Sequence, residues 1–337
     1  MTNRLLFLLG LVFAAAAFFT VSITAAEPLK IGLICSGSVT DGGWNQLAKE
    51  AVEQVKKEIK AEVSILQKVT QDKVGDELRA YAADGYDLVI AHGYEFLTPA
   101  AEVAAEIAAG TKTKMKIAVS GADVARPHIV TIDFDVSQAS YQLGVIAGTM
   151  TKSARLGFVG GSPIPSVKAC YRGFLAGAKA VRPEVTVAEA YTSWDEPVKA
   201  KAQTEAFFAQ GIDLVYHDVD SASRGIFEAV KERNSKNPSS PVYVFGCVAD
   251  QNANAICPDY ILASAVIRLD KSFGMVADSV TAHLFSAGVI RENLVRGTCV
   301  AVLNPKLVGG LLTKDIQSLV EKAGKDLLSG AIVIPNE

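Results

Sequence analysis

The chain holds only two tryptophans, and both stand in polar loops where a flat apolar face has a use. Trp44 lies in Ser-Gly-Ser-Val-Thr-Asp-Gly-Gly-Trp-Asn-Gln (36–46), directly after an apolar run. Asp41 can cap a helix that starts near Trp44. Gly42 and Gly43 permit a tight turn and close approach of backbone to a ligand. Asn45 carries a donor and an acceptor and can read a polar ring edge, or serve as a plain surface residue. The indole of Trp44 suits stacking on a planar ring, or it packs on its own domain. Trp194 sits in Tyr-Thr-Ser-Trp-Asp (191–195) and Tyr216 opens Tyr-His-Asp (216–218). Either supplies an opposite aromatic wall. Tyr216 is favoured because a strand end faces a crevice, with core packing the alternative for each. Glu95 contacts a ligand or starts a helix, where negative charge is favourable. Asp123 can accept hydrogen bonds nearby. Arg268 brings a planar cationic fork, or pairs with Asp270.

These residues do not assemble catalytic machinery. The four histidines (His92, His128, His217, His283) show no metal-binding spacing, and there is no C-x-x-C pair. No G-x-S-x-G elbow, Walker A sequence or G-x-G-x-x-G fingerprint occurs. Asp133 and Asp135 share a face if extended, and read as a cap or a hydrogen-bonding pair rather than an acid–base couple. No catalytic residue, cofactor or metal site is expected. No basic run or stripe is present, which argues against nucleic acid as a partner.

The elements that position these residues follow from the apolar pattern. Short Val/Ile-rich runs at 30–35, 63–69, 87–91, 116–120 and 129–133 read as buried parallel strands. Helical spacing separates them at 44–60, 73–83, 99–109 and 137–151. A second series follows, with strands at 155–159, 185–191, 213–216, 242–245 and 260–267. Its helices fall at 167–181, 197–209, 223–233 and 271–286. The last stretch adds a strand, a helix near 313–328 and a final strand at 331–335. The fold class is therefore α/β, with two doubly wound parallel-sheet lobes. Two such lobes suggest a hinged clamp with its cleft beyond the carboxyl ends of the strands.

Residues 1–26 carry one charge, Arg4, then an apolar run ending in Ile-Thr-Ala-Ala, and read as a secretory signal peptide. A retained membrane anchor is the rival reading. No cysteine follows the expected cleavage point, so the mature chain is expected to be free in the periplasm and not lipid-anchored. Subtracting these 26 residues from 337 leaves 311, enough for two domains, and losing Arg4 moves the net charge from −3 to −4. Among the five cysteines, Cys247 and Cys257 flank a short polar loop and are the best candidates for a disulfide. The expected organisation is an N-terminal lobe at 27–152 with a later crossover segment at about 268–297. A C-terminal lobe occupies 153–267, and a segment crossing the hinge occupies 298–337.

Several stretches resemble the basic membrane protein family of ABC-importer binding proteins, which includes purine-nucleoside receptors. Asp-Gly-Gly-Trp-Asn-Gln (41–46) is similar to the family's Asp-x-x-Phe-Asn-Gln loop. Ser140–Gly144 is similar to its Ser-Tyr-Leu-x-Gly helix, Leu156–Gly161 to its Gly-Phe-Val-Gly-Gly strand, and Gly173–Gly177 to Gly-Phe-x-Ala-Gly. Leu328–Pro335 is similar to its closing segment. The resemblance implies a type I periplasmic-binding-protein fold and an ABC permease with its ATPase as partners; the chain itself is expected to be a monomer. It implies an aromatic clamp carried over to Trp44 and Tyr216, polar contacts from Asn45 and Asp123, and Arg268 where the family often has Lys. One departure stands at Gly246-Cys247-Val248-Ala249-Asp250-Gln251: Val248 replaces an Asp that resembles a ribose-hydroxyl contact. The expected ligand is thus a purine base or related planar heterocycle. Alternatives are a purine nucleoside, a sugar or other small polar molecule, a sensing role beside a membrane receptor and, from another class, a nucleoside hydrolase-like enzyme.

Overall fold

Strands and helices alternate over most of Lys30 to Thr281, as the apolar pattern predicts, except that two strands follow one another directly within 116–134 and within 243–267. The computed structural model describes residues 27–110 and 113–335; the expected signal segment lies outside the described residues. One sheet holds β1 (Lys30–Cys35), β2 (Glu62–Leu66), β3 (Leu88–His92), β4 (Lys116–Ser120), β5 (Ile129–Phe134) and β11 (Gly288–Glu292). Their spatial order is β11-β5-β4-β3-β1-β2, all parallel. The other holds β6 (Arg155–Gly160), β7 (Thr186–Tyr191), β8 (Leu214–Asp218), β9 (Tyr243–Val248), β10 (Ile261–Ile267) and β12 (Cys299–Leu303). It runs β12-β10-β9-β8-β6-β7, with β12 antiparallel to β10 and the rest parallel. Central strands such as β3 and β10 are buried along their whole length, which explains their unbroken apolar runs.

Helices α1 (Trp44–Ile59), α2 (Val74–Ala83) and α3 (Leu97–Ala108) follow successive strands of the first sheet. Helices α5 (Pro165–Val181), α6 (Pro197–Ala209) and α7 (Ser223–Lys236) do the same in the second. In α1, Ala48, Ala51, Val52 and Val55 form a buried stripe at helical spacing. Strand order reverses direction between β1 and β3, and again between β6 and β8. Loops leaving the carboxyl ends at such switch points form the crevice of an open α/β sheet.

The chain passes between lobes three times. β5 leads into α4 (Ser137–Met150), which packs on α5, α9 (Lys314–Leu328), β10 and β12. β10 leads into α8 (Leu269–Thr281), which packs on α1. β11 then leads back to β12. The first crossing therefore precedes α4, so the lobe change falls near residues 135–136 and not at 152–153. Residues 268–292 return to the first lobe. Two sequence expectations change. β11 forms although its Gly-Val-Ile-Arg-Glu sequence had not been read as a strand. No strand forms over 331–335, because Ile332 and Ile334 instead pack on the Tyr141, Val145, Ala323 and Leu327 cluster.

All five cysteines are free and buried. The expected Cys247–Cys257 pairing is overturned by the sheet itself. Cys247 belongs to the apolar cluster with Tyr216 and Phe174, and Cys257 to the separate cluster with Val215 and Val244.

Candidate functional site

The loop after β1 is built around Asp41. Its Oδ1 accepts the N–H of Gly43 (2.9 Å) and of Gln46 (3.0 Å), and its Oδ2 accepts from Asn45 N (3.0 Å) and Asn45 Nδ2 (2.8 Å). One carboxylate thus satisfies three backbone donors at the start of α1, as the sequence predicted for a cap. Asn45 is buried, and its Oδ1 accepts Gly37 N at 3.1 Å. Asp41 and Asn45 therefore spend their hydrogen-bonding capacity on the loop and position Trp44 between them. Replacing Asp41 with Ala is expected to destabilise the protein by about 1–2 kcal/mol, read as a lower urea midpoint, and to weaken ligand binding through displacement of Trp44.

The indole of Trp44 is partly buried. One face stacks on His92, with ring centroids 4.0 Å apart and planes 23° off parallel, and Phe134 meets it edge-on at 5.8 Å. His92 ends β3 and is fully buried, with Nδ1 2.5 Å from Ser120 Oγ and Nε2 3.0 Å from the Trp44 carbonyl oxygen. Burial pushes its pKa down to about 3, so the ring behind the indole is neutral. Gly121 beside it has φ +83°, a conformation that favours glycine, and a Cβ there would lie 3.2 Å from Trp44 Cζ2.

From the second lobe, Asp220 reaches across. Its Oδ1 accepts the backbone N–H of Trp44 at 2.9 Å, so a carboxylate from the loop after β8 sits at the positive end of α1. Burial, and after it the charge of Asp41, push Asp220 up to about 7. The Asp220 and Ala222 N–H groups bond the carbonyl oxygen of Trp194 at 3.1 and 3.0 Å. The Trp194 ring lies over Gly161, where a Cβ would come within 2.3 Å of it. The loops after β1, β6, β7 and β8 therefore converge, and the two tryptophans flank one interlobe hydrogen bond.

The remaining residues distribute differently. Tyr216 is not at the cleft: it is fully buried, packed on Phe158 and Phe174, with its hydroxyl 2.8 Å from Ser140 Oγ and 3.2 Å from Cys247 Sγ. It is the third residue of β8, and its side chain points under the sheet toward α4 and α5. Arg268 is exposed and forms a two-pronged pair with Asp270, Nε–Oδ1 3.0 Å and Nη2–Oδ2 2.8 Å. It lines a groove of about 590 Å³ between the lobes, shared with Gln46, Glu50, Asp250 and Gln251. Glu95 is partly buried after β3, its carboxylate folded over Gly93. Asp123 is exposed after β4, close enough to raise the pKa of Asp133 behind the larger effects of burial and Arg291. Val248 adopts φ +68°, a rare conformation for a β-branched residue, with the Ala249 N–H bonded to the Cys247 carbonyl at 2.8 Å. His92 and Asp220 were not singled out from sequence. The available signal for Asp220 was its place just past the carboxyl end of a strand at the switch point.

No helix among the described residues is long and apolar enough to cross a membrane. A similar architecture occurs in an ABC transporter system solute-binding protein from Conexibacter woesei. It is 25% identical, with TM-score 0.72, covering 91% of this chain and 99% of that one. A solute-binding protein of the same kind from Aeropyrum pernix gives TM-score 0.76 at 20% identity, covering 92% and 94%. Among sequences, a CD4+ T-cell-stimulating antigen of Listeria innocua is 26% identical over 90% of this chain and 86% of its own. Basic membrane protein A of Borreliella burgdorferi is 24% identical over 92% and 89%. An ABC transporter nucleoside-binding protein of Lactococcus lactis is 26% identical over 62% and 61%. Two α/β lobes meeting at their switch-point loops agree with a family model, described as ABC transporter substrate-binding protein PnrA-like, that matches residues 29–297; the chain belongs to this Bmp family, the extracytoplasmic substrate-binding components of ABC transporters.

Proposed function

We propose that the chain is a periplasmic, monomeric receptor that closes on a purine base or similar planar heterocycle and presents it to the permease and ATPase of its importer. The observation that carries this reading is the hydrogen bond from the backbone N–H of Trp44 to Asp220, whose own N–H bonds the Trp194 carbonyl, so the backbones of one tryptophan from each lobe meet at the same point between the lobes. In this reading Trp194, whose ring covers Gly161, supplies the second wall in place of Tyr216. One face of Trp44 is backed by a neutral imidazole, with Phe134 against it edge-on, which fixes the ring for stacking. Chemistry on the ligand has no support: the polar atoms of Asp41 and Asn45 are engaged by the loop, and the imidazole of His92 is buried against Trp44 and Ser120.

A nucleoside is the second reading, favoured by the name of the Lactococcus relative. Val248 argues for the free base. Its side chain accepts no hydrogen bond, and a buried sugar hydroxyl left unpaired costs about 1–3 kcal/mol. Mass spectrometry of ligand released on denaturation identifies the class, and calorimetry then ranks purine bases against their nucleosides. Tighter binding of every nucleoside than of its base overturns the base assignment. Replacing Trp44 with Ala is expected to weaken binding at least tenfold, since stacking on an aromatic face is worth about 1–3 kcal/mol and tenfold is about 1.4 kcal/mol. Unchanged affinity by calorimetry excludes Trp44 as a wall.

A further inference from the structure

Three ligand-forming side chains meet in the second lobe, apart from the cleft contacts. Cys170 comes from the second turn of α5, Cys247 from β9, and Asp218 closes β8. Their two sulfurs and a carboxylate oxygen all lie within 4.8 Å of one another, and all three residues are buried, at 2%, 2% and 6% exposure. No short motif announces this grouping, because its members stand 48 and 29 positions apart; the sequence reading had expected no metal site.

The cluster is unusual in its charge. Among the described residues, no Lys, Arg or His forms an ion pair with Asp218, and the groups acting on its carboxylate are the two thiols. An S–H group is a weak donor. Buried carboxylates are ordinarily paired with a cation or bound to a metal. Two sulfurs and one carboxylate oxygen are the donor set of a tetrahedral thiophilic ion. Zinc holds sulfur at about 2.3 Å and carboxylate oxygen at about 2.0–2.2 Å, so its donors sit roughly 3.5–4 Å apart. The observed donors all lie within 4.8 Å of one another, so small side-chain adjustments bring them to that spacing. Support from outside the set is also present. The Tyr216 hydroxyl donates to Cys247 Sγ at 3.2 Å, is itself held by Ser140 Oγ at 2.8 Å, and its ring is fixed by Phe158 and Phe174. A hydrogen bond to a ligating sulfur orients it and favours the thiolate.

We propose that Cys170, Cys247 and Asp218 bind one thiophilic divalent cation of the zinc class behind the cleft wall of the second lobe. Binding releases the two thiol protons to solvent, leaves Asp218 ionised, and keeps one coordination position for water. The ion ties α5 to the ends of β8 and β9, the strands that carry the Asp220 and Val248 loops.

The test uses the full exported protein, reduced with a phosphine, stripped with a chelator and titrated with Zn(II) and, separately, Cd(II). Native mass spectrometry is expected to count one ion per chain, Cd(II) to give a thiolate charge-transfer band, and the melting temperature to rise. Cys247→Ala and Asp218→Asn are expected to weaken metal affinity at least 100-fold, while Cys257→Ala and Cys299→Ala retain it. Should Cys247→Ala fail to fold, the cadmium band of the parent and the Asp218→Asn titration decide. The proposal is overturned by absence of stoichiometric uptake, by uptake that survives both Cys170→Ala and Cys247→Ala, or by a Cys170–Cys247 disulfide standing in the exported protein in place of the ion.

Discussion

Gly177→Ala is expected to lower stability by about 2–3 kcal/mol, the cost of overpacking a close contact. The sign is diagnostic, because alanine in an unconstrained helix interior is about 1 kcal/mol better than glycine. At this position the added Cβ would lie 2.0 Å from the carbonyl oxygen of Tyr141. The constraint repeats along the α4–α5 seam. A Cβ on Gly173 would be 2.1 Å from Ser137 O, one on Gly144 2.1 Å from Phe174 O, and one on Gly148 2.5 Å from Ala178 O. Each blocking atom is backbone, so no side-chain rotation relieves it, and the helices must move apart. Gly75 in α2 serves as the control. A Cβ there meets nothing nearer than Arg79 Nη1 at 3.4 Å, so Gly75→Ala should be neutral or stabilising. Urea titrations of the two variants check the contrast. A Gly177→Ala protein as stable as its parent would show that the seam is looser than this.

That seam also explains motifs that were legible in the sequence without their reason. Ser140–Gly144 and Gly173–Gly177, stretches similar to family motifs, are the surfaces on which two helices touch. Strands were readable because burial on both faces demands continuous Val and Ile, a local property. β11 was not, since Gly-Val-Ile-Arg-Glu becomes a strand only by adding to the free edge of β5. The site divides the same way. Asp41 and Trp44 were found because capping and loop chemistry act over a few residues. Tyr216 was misplaced because nearness to a strand end does not fix a side chain's direction. It stands two positions before Asp218 and four before Asp220, and it is Asp220, past the end of the strand, that reaches the other lobe. His92 and Asp220 acquire their roles only through contact with Trp44, 48 and 176 residues away. The Cys170–Asp218–Cys247 convergence belongs to the same class, while the Cys247–Cys257 expectation failed because adjacency in sequence spans a sheet.

Gly43→Ala is expected to weaken ligand binding by about 30–100-fold while leaving each lobe folded. In the closed arrangement the new methyl would lie 2.3 Å from Asp220 Oδ1 and 3.0 Å from Asp220 Cα. Turning the Asp220 side chain relieves the first contact but not the second, so the loops after β1 and β8 cannot meet as they do here. With the lobes apart, the methyl projects into solvent. The substitution therefore raises the free energy of closure without touching the aromatic walls. A closure penalty of about 2–3 kcal/mol corresponds to that loss of affinity. The mechanism is separable from loss of stacking. Solution scattering of the ligand-free protein provides a readout that does not depend on knowing the ligand, with a larger radius expected for Gly43→Ala than for the parent. Equal scattering together with parental affinity would mean that the Trp44–Asp220 contact is not where the two lobes lock, and the cleft would have to be sought elsewhere along the interface.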